Sequence, residues 1–259
     1  MRAIEGTKPD LPEGGLSSEP IVRADNIFKT YGSITVLSIP DRLDVHPGIT
    51  SITGQSGSGK STLLNILAGF VQPTAGRVVH THQGEYVYPP VEPASGIRGI
   101  GNTVLKAIRV QTASDRIAAS YRSNYMGYIS QQPALHPNLA LGDYVRLVQT
   151  CRGNDVDESY LQELASTIGI STLLKKVPSQ LSGGEEQRGA IVTALINRPR
   201  IVFADEPTSA LDSESGIRCL KLFRHIANTQ QTSFVIVSHD SRLEDYADHS
   251  LRLSNGQLC

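Results

Sequence analysis

The sequence predicts an α/β fold: a mixed or parallel sheet covered by helices, with an antiparallel β subdomain first and a helical subdomain inserted later. Three observations carry that expectation. The apolar run Ile49 to Thr53 (ITSIT) is followed at once by a glycine-serine loop and an apolar-periodic segment, TLLNILAGF. Strand, loop and helix in that order form half of a βαβ unit. Two later runs, Ile201 to Asp205 (IVFAD) and Ser233 to Ser238 (SFVIVS), are almost continuously apolar and β-branched, as strands covered on both faces are. Between about 137 and 180 the apolar residues instead take helical spacing with polar interruptions.

The elements follow in order. Residues 1–20 are rich in Pro, Gly and Ser and are expected to form a flexible tail ahead of one domain over 21–259. That tail has no apolar core of the kind a signal peptide needs. From Ile21, the segments IVRADNIFKTYG and SITVLSIPDRLDV are short and β-rich, and supply the N-terminal β subdomain. The helix after ITSIT should begin near Lys60 and end near Gly69. Residues of about 84–112 mix Pro, Gly and β-branched types without a steady period and read as an insertion, either a hairpin or an ordered loop. YVRLVQTC and SYLQELASTI place the helical subdomain at about 132–190, and GIRCLKLFRHIA gives a helix between the two late strands.

Composition weighs against several function classes without excluding them. The formal net charge of −1 lacks the basic excess of a dedicated nucleic-acid binder. Cys151, Cys219 and Cys259 are too few and too widely spaced for a disulfide framework or a zinc site, which suits a reducing, cytosolic setting. No apolar run approaches the roughly 18–20 residues of a membrane-spanning helix. A membrane role would therefore need a partner that supplies the spans.

The loop Gly54-Gln55-Ser56-Gly57-Ser58-Gly59-Lys60-Ser61-Thr62 satisfies G-x-x-x-x-G-K-[ST] in full. Its glycines allow a tight turn whose N–H groups point inward at phosphate oxygens. The helix that starts near Lys60 adds the positive end of its dipole. Lys60 is expected to bridge the β- and γ-phosphates, and Ser61 to ligate Mg²⁺ through its hydroxyl. A P-loop NTPase core follows.

A second signal is Leu181-Ser182-Gly183-Gly184-Glu185-Glu186-Gln187-Arg188. Ser182 is a good N-cap, and two glycines expose N–H groups at a helix start, where anions bind. About twenty residues on, IVFADEPTSALD delivers Asp205 and Glu206 at the end of a strand. There Asp205 would hold Mg²⁺, and Glu206 would act as general base on the attacking water. Together with the phosphate loop, these motifs resemble the ABC ATPase family, in that family's order and over Ile21 to Leu258.

The resemblance implies further roles. His239, in VIVSHD, matches the switch histidine that contacts the γ-phosphate. Gln131, in MGYISQQPALHPNL, matches the glutamine that links Mg²⁺ and the attacking water to the membrane partner, with Gln132 as the adjacent alternative. Tyr31, in FKTYG, matches the aromatic that stacks on adenine. Ser182, Gly183, Gly184 and Glu185 would contact the ATP of a second subunit, and Ser209 to Asp212 form the loop through which subunits sense each other. Ser130 and Glu186 depart from the usual aromatic and Gln, and the 55 residues from Gly76 to Gln131 exceed a compact member's interval.

By the same resemblance, the chain is an ATP hydrolase using ATP and Mg²⁺ that powers a transmembrane permease subunit. It would work at the cytoplasmic face of the inner or plasma membrane, paired with a second ATP-binding subunit, expected to be identical. HDSRLEDYADHSLRLSNGQL and the signature region are most similar to ATPases of the macrolide-export and lipoprotein-release group. Two other readings stand beside it. A soluble ABC ATPase acting on nucleic acid or the ribosome is disfavoured by the single nucleotide domain and the lack of heptads. A regulatory module that binds ATP without turnover is disfavoured by the presence of both Glu206 and His239.

Overall fold

A computed structural model describes residues 19–81, 86–88 and 119–259. Nearly all of the expected tail, and all but three residues of the expected insertion over 84–112, lie outside the described residues. The chain opens with β1 (Val22–Tyr31), β2 (Ile34–Ile39) and β3 (Leu43–Val45). β4 (Ile49–Thr53) then leads through the glycine loop into α1 (Lys60–Leu67). β5 (Ala75–His80) and β6 (Tyr86–Tyr88) complete a five-stranded antiparallel sheet in the order β2-β1-β5-β6, with β3 also on β1. A helix, α2, covers residues 119–125, and β7 (Met126–Ile129) follows it.

Three helices come next: α3 (Leu141–Cys151), α4 (Glu158–Thr167) and α5 (Gly183–Leu195). β8 (Ile201–Asp205), α6 (Ser213–Gln230), β9 (Ser233–Val237), β10 (His249–Ser254) and β11 (Gln257–Leu258) close the chain. The second sheet runs β11-β10-β4-β9-β8-β7; all its pairings are parallel except β10 with β11. The predicted α/β class, with its antiparallel subdomain, P-loop core and inserted helices, is the observed one.

β8 and β9 are buried at every position, and their side chains alternate between two cores. Phe203 and Val235 point into a cluster with Leu63, Leu64, Ile66 and Leu67 of α1, between the two sheets. Val202, Ala204, Phe234 and Ile236 point the other way, against Ile191, Val192 and Leu195 of α5 and Phe223 and Ile226 of α6. A strand with a core on each face cannot alternate polar and apolar residues, which is why these segments read as continuous apolar runs. Burying each fully enclosed Phe or Leu contributes about 1.5–3 kcal/mol. The layers therefore hold the parallel strands rigidly, and all the parallel strands end on the same edge.

Candidate nucleotide site

The register shows which residues share that edge. Ile52 lies opposite Val237, Asp205 also pairs with Val237, and Ile129 pairs with Ala204. The loops after β4, β9, β8 and β7 thus emerge side by side, carrying the phosphate loop, His239, Asp205-Glu206 and Gln131. In a doubly wound sheet this carboxyl edge is where ligands bind.

The phosphate loop is held by contacts that only glycine permits at two positions. Gly59 has φ +98°, and a Cβ there would come 2.8 Å from Leu37 Cδ2 and 2.9 Å from the Val36 carbonyl oxygen. Gly54 has φ +152°, and a Cβ there would meet the Leu253 carbonyl oxygen at 2.1 Å. The loop is thereby clamped between β2 and the end of β10. The Gly256 N–H adds a bond of 3.1 Å to the Ser58 carbonyl. Lys60 is 6% exposed, and its ammonium donates to the carbonyls of Gly54 and Gln55 at 2.9 Å each.

Ser61, the first residue after that lysine, reaches across the edge. Its hydroxyl donates to Asp205 Oδ1 at 3.0 Å. A serine hydroxyl from the first turn of α1 and a carboxylate from the end of β8 are the hard oxygen donors that Mg²⁺ takes, with water and phosphate oxygens filling its remaining positions. Among the described residues no group of three or more His, Cys, Asp or Glu could hold a metal alone. The donor set fits a cation carried with a phosphate rather than a resident metal centre.

Glu206 sits beside this pair in a strained position. Its φ is +49°, a left-handed conformation that a non-glycine residue rarely adopts and that costs about 1–3 kcal/mol. Its own N–H bonds the Val237 carbonyl at 2.8 Å, and its side chain is fixed by the neighbouring loop. Glu206 Oε2 accepts from the His239 N–H at 3.2 Å and from the Ser238 hydroxyl at 3.3 Å. His239 Nε2 stands 3.4 Å from Glu206 Oε1, with the imidazole 54% exposed and the carboxylate 11%. A nearly buried carboxylate, held by a backbone N–H and a serine hydroxyl, thus stands beside a solvent-facing imidazole. That pair suits proton transfer from a water at the open side.

The other expected residues lie around this centre. Tyr31 closes the β1–β2 hairpin opposite Ile34, its ring 52% exposed and the Lys29 ammonium 4.7 Å from the ring centroid. Gln131 and Gln132 are both exposed, and the carbonyl of Ser130 accepts from the buried Gln187 amide of α5 at 3.3 Å. Ser182 caps α5 reciprocally with Glu185: its hydroxyl accepts from the Glu185 N–H at 3.3 Å, and Glu185 Oε2 accepts from the Ser182 N–H at 2.7 Å. A Cβ on Gly183 would meet nothing within 4 Å, so that helix start faces open space. A Cβ on Gly184 would lie 3.0 Å from the Ala210 carbonyl oxygen, which seats the signature against the 209–212 loop. Asp212 caps α6 by accepting from the Ser215 N–H at 2.9 Å, and these bonds hold its carboxyl below the usual range.

Sequence reasoning did not single out several residues that brace the centre. Ser238 and Thr208 bond Glu206 and Asp240, and Asp240 and Arg242 form a bidentate ion pair. On β7, the Tyr128 hydroxyl donates to Asn65 of α1 at 2.8 Å; burial, and next the charge of Asp205, push it up to about 12. A polar residue facing a loop some thirty positions away leaves no periodic trace. Only the polarity of Ser238-His239-Asp240 after an apolar strand hinted at it.

Comparison with known proteins gives a consistent result. Residues 41–209 match the ABC transporter family. The chain is 34% identical to a putative ABC transporter ATP-binding protein, the MG065 homolog of Mycoplasma pneumoniae, over 93% of its own length but only 47% of that protein's, so it spans about half of that relative. It is 31% identical to the lipoprotein-releasing system ATP-binding protein LolD of Cytophaga hutchinsonii, covering 93% of this chain and 99% of the relative. Among solved structures it is similar to the ATP-binding cassette MJ0796 in a dimeric post-hydrolysis state bound to ADP and Pi, with TM-score 0.76, 28% identity and coverage of 92% and 96%.

Proposed function

The chain belongs to the ABC transporter family as an ATP-binding and ATP-hydrolysing subunit, and on that premise we propose how its residues divide the work and what it drives. The observation that carries the reading is the convergence at one sheet edge of Lys60, the Ser61–Asp205 pair 3.0 Å apart, and the Glu206–His239 pair 3.4 Å apart.

Tyr31 stacks on the adenine, and the N–H groups of Gly54 to Thr62 with the Lys60 ammonium bind the phosphates. Ser61 and Asp205 would hold Mg²⁺, with Gln131 on the loop after β7, and the bound ion would supply charge neutralisation at the phosphate oxygens. Glu206 takes a proton from the attacking water, and His239 orients the pair and contacts the terminal phosphate. The products are ADP and inorganic phosphate. Ser182 to Glu185, on a helix start that faces open space, serve the ATP of a second copy, so two chains close two sites head to tail. Asp212 and its loop connect those sites. MJ0796, to which the chain is similar, is itself described as dimeric.

The subunit works on the cytoplasmic face of a membrane, through a permease that supplies the spans; among the described residues no helix is long and apolar enough to cross one. The likeness to LolD supports an exporter or lipoprotein-handling system as the machine it powers. The experiment is affinity purification of the tagged chain from gently solubilised membranes, using Glu206→Gln with ATP to hold the closed state. A stoichiometric multi-span protein, together with ATPase activity lost in Glu206→Gln, is expected. Ribosomal proteins, or a soluble dimer with no membrane protein attached, would overturn the transport reading and leave the ATP chemistry standing.

A further inference from the structure

Two loops that carry the proposed catalytic pair are tied together twice. The inner tie is Glu206 itself, bonded to Ser238 and His239. The outer tie lies on the far side of His239. Asp240 takes the Arg242 guanidinium as a fork: Arg242 Nε donates to Oδ1 at 2.8 Å, and Nη2 donates to Oδ2 at 2.6 Å. The free arm of the same guanidinium, Nη1, donates to the carbonyl and the hydroxyl of Ser213 at 2.8 and 2.9 Å. Ser213 opens α6 directly after Asp212, at the end of the loop that starts from Glu206. Asp240 also accepts from the Thr208 hydroxyl at 3.3 Å, in the middle of that loop. A Cβ at position 216 would lie 3.0 Å from Arg242 Nη2, so the guanidinium lies close against the first turn of α6.

We propose that Arg242 is a positioning residue for hydrolysis: its guanidinium binds the His239 loop to the first turn of α6, so that Glu206, His239 and the 208–212 loop keep one geometry. This rests on the reading of Glu206 and His239 as the hydrolytic pair. The physical case is the fork. One planar cation satisfies a carboxylate with two N–H groups and a helix start with a third, a geometry that an ammonium cannot reproduce. Arg242 touches neither Glu206 nor the phosphate loop, so its loss leaves ATP binding intact and loosens only the alignment that turnover needs.

The test compares the parent chain, Arg242→Lys, Arg242→Ala, Thr208→Val and Glu206→Gln, with kcat expressed per bound nucleotide so that unfolded protein drops out. Both Arg242 variants should keep KM for ATP within about twofold and lose between ~10- and ~100-fold in kcat, the cost of a small misplacement at a reacting centre. Arg242→Lys should not rescue, and Thr208→Val should show a smaller loss in the same direction. Parent-like kcat per site in Arg242→Lys, or a rise in KM matching the fall in kcat, would overturn the proposal while Glu206→Gln still confirms the hydrolytic pair. If Arg242→Ala fails to fold, Arg242→Lys and Thr208→Val decide the matter. If Glu206→Gln hydrolyses at the parent rate, the underlying reading fails instead.

Discussion

His80 should make the stability of this chain depend on pH in a way a single substitution removes. The residue ends β5, is 1% exposed, and lies with its ring near Tyr121 and edge-on to Phe203. Its Nε2–H donates to the Leu67 carbonyl at the end of α1, at 2.9 Å. Burial disfavours the charged ring and brings its pKa down to about 4 from an ordinary 6.5, the Leu67 bond acting weakly the other way. Below 6.5 the unfolded chain binds a proton that the folded chain refuses. The contribution to stability is therefore complete above pH 6.5 and is lost as pH falls from there towards 4. The whole loss amounts to about 3 kcal/mol, of which about 2 kcal/mol falls between pH 7.5 and 5. Urea unfolding followed by circular dichroism at both pH values, on the parent chain and His80→Gln, isolates this share from other titrating groups. The parent should lose about 2 kcal/mol more than the variant over that interval. An equal loss in both would show that His80 already accepts a proton in the folded chain, and the burial argument would be wrong.

Three other outcomes are expected. Gly59→Ala should melt several degrees lower and bind nucleotide less well in a thermal-shift titration, because φ +98° and a contact of 2.9 Å to the Val36 carbonyl force about 1–3 kcal/mol of strain. Arg224→Met should cost roughly 3 kcal/mol by urea unfolding, since Asp248, only 14% exposed and bonded to the Ile49 N–H at 2.7 Å, would lose its ion-pair partner. Tyr31→Ala should raise KM for ATP about two- to thirteenfold with kcat kept, a value set by stacking of about 0.5–1.5 kcal/mol and read from steady-state ATPase assays.

What the sequence determined by itself is what depends on neighbours in the chain. The strands ITSIT and IVFAD start and stop where the apolar runs do, and SFVIVS ends one residue early, because double burial demands continuous apolar side chains. α1 begins at Lys60 and stops before Gly69 for an equally local reason, the loop that sets its start and the glycine past its end. The phosphate loop, the signature and Asp205-Glu206 were legible because each motif's chemistry is carried by adjacent residues. Tertiary structure decided the rest. The order β4-β9-β8-β7 brings four loops from distant parts of the chain to one edge. It sets Ser61 against Asp205, 144 positions away, and Glu206 against His239, 33 away. The same packing made Asp240 and Arg242 a brace between two loops and buried His80 behind α1. Local pattern records which face of an element seeks a core. Which partner it meets there depends on the packing of whole layers, and a pairing between two loop residues carries no period for the sequence to show.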